Sequence, residues 1–285
     1  MEMKLLIPPR FWGLFLCLPP LLISSITEYY TLAVFWVGLL VIGIPHGAID
    51  HHLHLKSEAH NFRKLLPFIL KYVTWMLLFL LFWVISSDLA LIFFVILSAW
   101  HFGMVDFGHP KQFLKRIMAV IYGFSLLGFL LLSHKSEVLP ILEQLRVSDT
   151  YLQVFSGIGN SVMLFLLIVL GLLITIWSKH ALWSTFLLFL AGIYLPLLLV
   201  FGIYFSFQHA LESTLAMKKF LKVDVKSLIR FALPFSLGAY LVGTFVFLGL
   251  RLTNIQLEYS IPYAFLFLGM ITLPHVIYYR FDSHK

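Results

Sequence analysis

Four histidines sit inside stretches so apolar that they belong in lipid: His46, His101, His209 and His275. Ionisable groups at membrane depth are expensive, and they usually face an interior cavity, pair with another group or bind something. Each is trailed by a carboxylate: Asp50 four residues after His46, Asp106 five after His101, Glu212 three after His209 and Asp282 seven after His275. Spacings of three and four put two side chains on one helix face. A metal-bound imidazole usually donates its other N–H to a carboxylate or carbonyl, which fixes its tautomer. A histidine followed by an acid therefore suits a ligand and the group that orients it. The densest stretch runs from Gly43 to His52, and His51 within it is a further candidate. Gly47 and Gly103 lie beside two of the histidines and would let a helix or a ligand approach closely.

Neutral imidazoles with few carboxylates and no thiolate suit iron, copper or zinc, and argue against magnesium or calcium, which want oxygen. All-histidine coordination with an open position favours ferrous iron handling dioxygen, or zinc activating water. A single membrane histidine is more often a hydrogen-bond donor between helices. Four at one depth on four parallel helices favour a shared site. His52, His54 and His60 read as solvated residues at the membrane edge, and His109, His134, His180 and His284 as loop or terminal residues.

The elements that must carry these residues follow from composition. In 285 residues, 61% are hydrophobic and 12% charged, which is too little polar surface for a soluble globular domain of that length. The formal charge of +7 comes from basic residues in short loops between apolar runs, so it reports topology and not nucleic-acid binding. The single Cys17 excludes a disulfide within the chain and a cysteine-rich metal site. No cleavable signal is expected, because the first apolar segment is followed at once by another.

Stretches long enough for roughly 30 Å of hydrocarbon fall near 11–27, 31–48, 66–86, 88–107, 114–133, 158–177, 230–250 and 259–279. The stretch 181–215 is too long for one span and is interrupted at Gly192–Pro196, so it divides into two short ones. The expectation is an all-α polytopic transmembrane bundle of about ten spans, a single integral membrane domain over 1–285. Basic residues should lie on the cytoplasmic side. Lys4 and Arg10, then Lys56, Arg63 and Lys64, then Lys111, Lys115 and Arg116, then Lys179, then Lys218, Lys219, Lys222 and Lys226, and finally Arg280 and Lys285 mark alternate loops. Both termini are then cytoplasmic, with His134 to Asn160 the one sizeable outer loop. A multi-pass protein of the cell (inner) membrane is expected. On this topology the four histidines share one depth, near the inner ends of their spans.

A site sunk in a bundle with 29 Phe, 12 Tyr and 7 Trp is most easily reached by a molecule dissolved in the bilayer, and an aromatic lining would suit a long conjugated hydrocarbon. At these residues the chain resembles a known family. Pro-His-Gly-Ala-Ile-Asp-His at 45–51, His101-Phe102-Gly103 with Asp106, the stretch from Tyr204-Phe205 to His209, and Thr272-Leu273-Pro274-His275 with Asp282 are similar to the Brp/Blh family of membrane-integral β-carotene 15,15′-dioxygenases. The resemblance runs from about the second span to the C-terminus. It implies oxidative cleavage of the central double bond of β-carotene to retinal with iron(II) and O2, the retinal typically supplying a microbial rhodopsin.

Carried over residue by residue, the family's iron-ligating histidines match His46, His101 and His209, and its fourth, four residues after the third, falls on Ser213. A hydroxyl is a poor iron ligand, so the fourth ligand is expected from His275, Glu212 or water, with Asp50 and Asp106 orienting imidazoles. Two other readings remain open on the residues alone. One is a di-iron membrane desaturase or hydroxylase, suggested by His46-x4-His51-His52. The other is a non-catalytic carotenoid, retinal or metal carrier or a transporter, in which histidine–acid pairs relay protons.

Overall fold

Apolar runs of this length can satisfy their backbone in lipid by bonding it internally as helix. The computed structural model describes residues 9–177, 182–252 and 260–279, and among these residues there are helices and connecting turns but no strand. In chain order the helices are α1 (Pro9–Phe15), α2 (Leu18–Leu22), α3 (Thr27–Gly38), α4 (Ile44–Gly47), α5 (Asp50–Leu55), α6 (Phe62–Ile85), α7 (Ser87–Asp106) and α8 (Phe113–Ser133). They continue as α9 (Lys135–Gln144), α10 (Asp149–Gly157), α11 (Asn160–Trp177), α12 (Trp183–Gly192), α13 (Leu197–Ile203), α14 (Leu211–Leu221), α15 (Val225–Leu252) and α16 (Ser260–Tyr278). Two π-helical segments, Leu39–Gly43 and Tyr204–Ala210, join α3 to α4 and α13 to α14.

Among the described residues, seven helical runs are long and apolar enough to cross a membrane: Ser24–His60, Phe62–Ile85, Ser87–Asp106, Phe113–Ser133, Asn160–Trp177, Val225–Phe245 and Ser260–Tyr278. The protein is thus an all-helical polytopic membrane bundle. The stretch expected to span at 11–27 is instead two short helices, α1 and α2, because Pro19 and Pro20 permit a new helical start but not a continuous helix. The long stretch 181–215 does divide where the sequence breaks it: α12 ends at Gly192, and Pro196, with ψ of 147°, caps α13. The segment 134–160, expected as an outer loop, holds α9 and α10. Lys4, Lys179, His180, Arg280, Asp282, His284 and Lys285 lie outside the described residues.

Lipid offers helices no hydrophobic reason to associate, so small residues that let backbones meet carry much of the packing. Between α7 and α8 this is reciprocal. A Cβ on Gly103 would collide with the Ala119 carbonyl oxygen, and a Cβ on Gly123 with the Ala99 carbonyl oxygen. Ala99-x-x-x-Gly103 and Ala119-x-x-x-Gly123 therefore face one another, and His101 projects from the middle of the first. Farther along, Gly202 of α13 packs closely on the Phe35 backbone of α3, where a Cβ would sit 3.1 Å from Cα and the backbone would have to give by a few tenths of an ångström.

One expectation about charge is corrected. Arg10 was assigned to the cytoplasmic loop charges, but it is 4% exposed and forms an ion pair with Asp106 at 3.0 Å. A charge at the end of an apolar run is ambiguous, since solvation and burial with a partner leave the same sequence.

Candidate metal centre

Three of the four membrane histidines stand where their helix departs from regular geometry. His46 is on α4, directly after the π-helical turn Leu39–Gly43 and after Pro45. His209 is within the π-helical segment Tyr204–Ala210, and His275 follows Pro274 inside α16. A π turn or a proline frees a backbone carbonyl and re-aims the side chains that follow, and such interruptions concentrate at functional sites. His101 needs no such device, because the close α7–α8 approach fixes its helix.

The four imidazoles meet. His46, His101, His209 and His275 are 3%, 2%, 1% and 7% exposed, so none is solvated. Ring centroids are 4.8 Å apart for His46–His275, 5.0 Å for His101–His275, 5.1 Å for His101–His209 and 5.5 Å for His46–His209. One ring nitrogen each from His46, His101 and His275 lie within 4.8 Å of one another, and among the described residues this is the group of donors close enough to share an ion. His209 borders that set without belonging to it.

Whether these residues fit a metal is tested by their hydrogen bonds. Nε2 of His46, His101 and His275 and Nδ1 of His209 are buried and have no hydrogen-bond partner. Leaving a buried polar atom unpaired costs about 1–3 kcal/mol each, so the three converging orphan nitrogens of His46, His101 and His275, with that of His209 beside them, ask for a shared electrophile. Two of the opposite nitrogens are anchored. His275 Nδ1 lies 2.9 Å and 3.0 Å from the two oxygens of Asp50, and His46 Nδ1 lies 3.2 Å from Thr214 Oγ1. A carboxylate accepting from Nδ1–H leaves Nε2 with its lone pair, as a metal requires. The donor set fits a metal that accepts imidazole: iron, copper, zinc or nickel.

The remaining sequence candidates distribute as follows. Spacing paired Asp50 with His46, but the structure pairs it with His275, because turn residues Ala48 and Ile49 interrupt the helix between α4 and α5 and cancel the four-residue register. The Tyr72 hydroxyl also donates to Asp50, at 3.3 Å. Asp106 accepts from Arg10 at 3.0 Å and from the hydroxyls of Tyr122 and Tyr204 at 3.2 Å and 3.1 Å, in a layer beside the imidazoles. Glu212 is 3.9 Å from Arg10 Nε and outside the close donor group. Ser213 is buried, its Oγ 2.6 Å from the Tyr279 hydroxyl. His51 bonds the Ala48 carbonyl through Nδ1 at 3.0 Å and packs against Phe235 with ring centroids 4.3 Å apart.

Sequence reasoning missed Arg10, Tyr72, Thr214 and Tyr279. Tyr279 is buried, with its ring centroid 5.4 Å from His101 and 5.1 Å from His275. It lies four residues after His275, a helical-register signal that an aromatic-rich chain conceals. His52, expected to be solvated, is buried and stacks on Phe231 with centroids 3.6 Å apart.

Beside the imidazoles opens a cavity of about 580 Å³. His46, His101, His209 and His275 line it, and the rest of its wall is largely apolar, including Ile44, Phe68, Phe205 and Phe235.

Fold and site together define a polytopic helical membrane protein built around a buried histidine centre that faces an apolar cavity. Residues 37–281 match the family described as beta-carotene 15,15′-dioxygenase. A protein of that name from the uncultured marine bacterium 66A03 is 28% identical over 257 residues, covering 85% of this chain and 91% of the relative. The chain belongs to the β-carotene 15,15′-dioxygenase family, and its enzyme class is that of the carotenoid-cleaving dioxygenases. No solved structure matches it.

Proposed function

We propose that this protein cleaves the central double bond of β-carotene, or of a closely related carotenoid, with O2 to give retinal. One observation carries the reading: four clustered imidazoles with unpartnered buried nitrogens line an apolar cavity in a membrane bundle. The name borne by the marine bacterial relative supports the same substrate. In the reaction one C=C bond breaks and each of its carbons takes one oxygen atom, so two aldehydes form without an added reductant.

His46, His101 and His275 would hold the metal, with His209 completing the set and Glu212 engaged by Arg10 instead. Ferrous iron is the proposed ion, and when bound it supplies the redox chemistry that lets O2 react with an alkene. Asp50 holds the Nδ1 proton of His275, and Thr214 steadies His46. The cavity wall keeps water from the reacting carbons and holds a polyene in line with the imidazoles, so the residues contribute mainly positioning. The reading carries with it a single multi-pass domain in the cell membrane, both termini cytoplasmic, with retinal released for a rhodopsin partner.

The test is expression in a bacterium that accumulates β-carotene, with pigments separated by chromatography and iron measured in the purified protein. Loss of orange colour with retinal formed, dependent on His46 and His275, is the expected result. Unchanged carotene with iron bound would discard the substrate, and neither iron nor cleavage would discard the enzyme.

A further inference from the structure

The cavity must be filled from somewhere, and its lining says where. Most of its wall is not exposed, but Val73 and Leu77 of α6 and Val242 of α15 line it and are 44%, 56% and 48% exposed, as Pro234 and Gly238 of α15 are exposed too. The cavity therefore reaches the surface between α6 and α15. Val73 and Leu77 are 11 and 15 residues into the 24-residue α6, while Gly238 and Val242 are 13 and 17 residues into the 28-residue α15. Both lips are thus at mid-helix. Because the hydrocarbon core is roughly 30 Å thick, a mid-helix opening faces lipid tails and not water.

Packing leaves this seam open. α15 rests on the histidine-bearing α4, and α16 rests on α6, so the two lips are braced against different neighbours. Gly238 is exposed, lines the cavity, and has nothing within 4 Å of where a Cβ would stand.

We infer that the gap between α6 and α15 is a lateral mouth through which the substrate passes from the bilayer to the histidine centre, and that Gly238 sets its width. The occupant is a rod-shaped apolar molecule, because a polar one would not be dissolved at that depth and would meet few polar groups on the wall. The inference rests on the carotenoid reading for its substrate, but the mouth itself can be tested without it.

The experiment compares the parent with Gly238→Trp, with Leu77→Trp on the opposite lip, and with Gly243→Trp. Gly243 is on the same helix with equally open space around its Cβ position but does not line the cavity. In reconstituted vesicles carrying β-carotene, Gly238→Trp and Leu77→Trp are expected to lose at least tenfold in retinal formation with iron content unchanged, while Gly243→Trp matches the parent. In parallel, a bilayer-dissolved phenyldiazirine is photolysed and tagged residues are mapped by mass spectrometry. The parent and Gly243→Trp should carry tags on the buried wall residues Ile44 and Leu268, and Gly238→Trp should not. Equal tagging of Ile44 and Leu268 in all variants would overturn the mouth, as would cleavage by Gly238→Trp at the parent rate. A parent that takes the tag but leaves β-carotene intact would sink the substrate and retain the mouth.

Discussion

His275 Nδ1 lies 2.9 Å from Asp50 Oδ2, a contact that joins α16 to α5 across 225 residues of sequence. The bond fixes which imidazole nitrogen is protonated and turns the unpartnered Nε2 towards His46 and His101. Asp50→Asn is close to isosteric but removes the charge and offers the ring an amide that can present either a donor or an acceptor. Removing such an outer partner typically costs about 10–100-fold in metal affinity. Asp50→Asn should therefore lose iron to a chelator at concentrations roughly an order of magnitude lower than the parent does. Identical competition curves would mean that the carboxylate has no hold on the metal.

The histidines should not be equivalent. His46, His101 and His275 offer nitrogens within 4.8 Å of one another, whereas His209 stands beside that group. His101→Ala is expected to abolish iron binding while the protein still inserts and purifies normally. His209→Ala should weaken binding less and retain measurable iron at saturating concentration. Full iron stoichiometry in His101→Ala would remove the assignment of this centre, and an iron-free His209→Ala would show that the closely spaced trio is insufficient.

Much of this centre was legible in the sequence because buried ionisable residues in apolar runs are rare enough to be conspicuous. His46, His101, His209 and His275 stood out on that ground, and they do converge. Partner assignment failed where it relied on helical register. Asp50 was matched with His46 by spacing, yet two turn residues at Ala48 and Ile49 swing it to a helix more than two hundred residues away. The π-helical segment Tyr204–Ala210 leaves no signature that hydrophobic periodicity can register. Arg10 showed the opposite ambiguity, since a single charge at a span boundary fits a snorkelling loop residue as well as a buried ion pair. The division of the chain at Gly192–Pro196 was readable, because glycine and proline act on the backbone locally and need no tertiary partner.

Stability should depend sharply on the α7–α8 crossing. A Cβ at Gly103 meets the Ala119 carbonyl oxygen, which is backbone and cannot rotate away, so the two helices would have to separate. Overpacking of this kind costs typically about 1–3 kcal/mol and more when backbone must shift. Gly103→Ala should lower the thermal unfolding midpoint in detergent, and the same change at Gly238, where space is open, should not. Because His101 is carried by the same segment of α7, the Gly103 variant should also bind iron more weakly. Equal melting of the two variants would contradict the crossing.

Ser213 offers the last prediction. Its hydroxyl is 2.6 Å from that of Tyr279, whose ring stands 5.1 Å from His275 and 6.1 Å from His46 by centroid. The family resemblance places a histidine at this position, and in this chain the phenol of Tyr279 packs directly against the Ser213 hydroxyl. An imidazole introduced by Ser213→His alone must push against a side chain that is already buried. The single variant should therefore be destabilised, with a lower unfolding midpoint and no gain in metal affinity. Combining Ser213→His with Tyr279→Ala vacates the space, and the double variant should recover stability and bind iron even when His275 is replaced by alanine. If Ser213→His by itself tightened iron binding at unchanged stability, Tyr279 would not be filling that side of the centre. If the double variant still required His275, the new imidazole would not be reaching the metal.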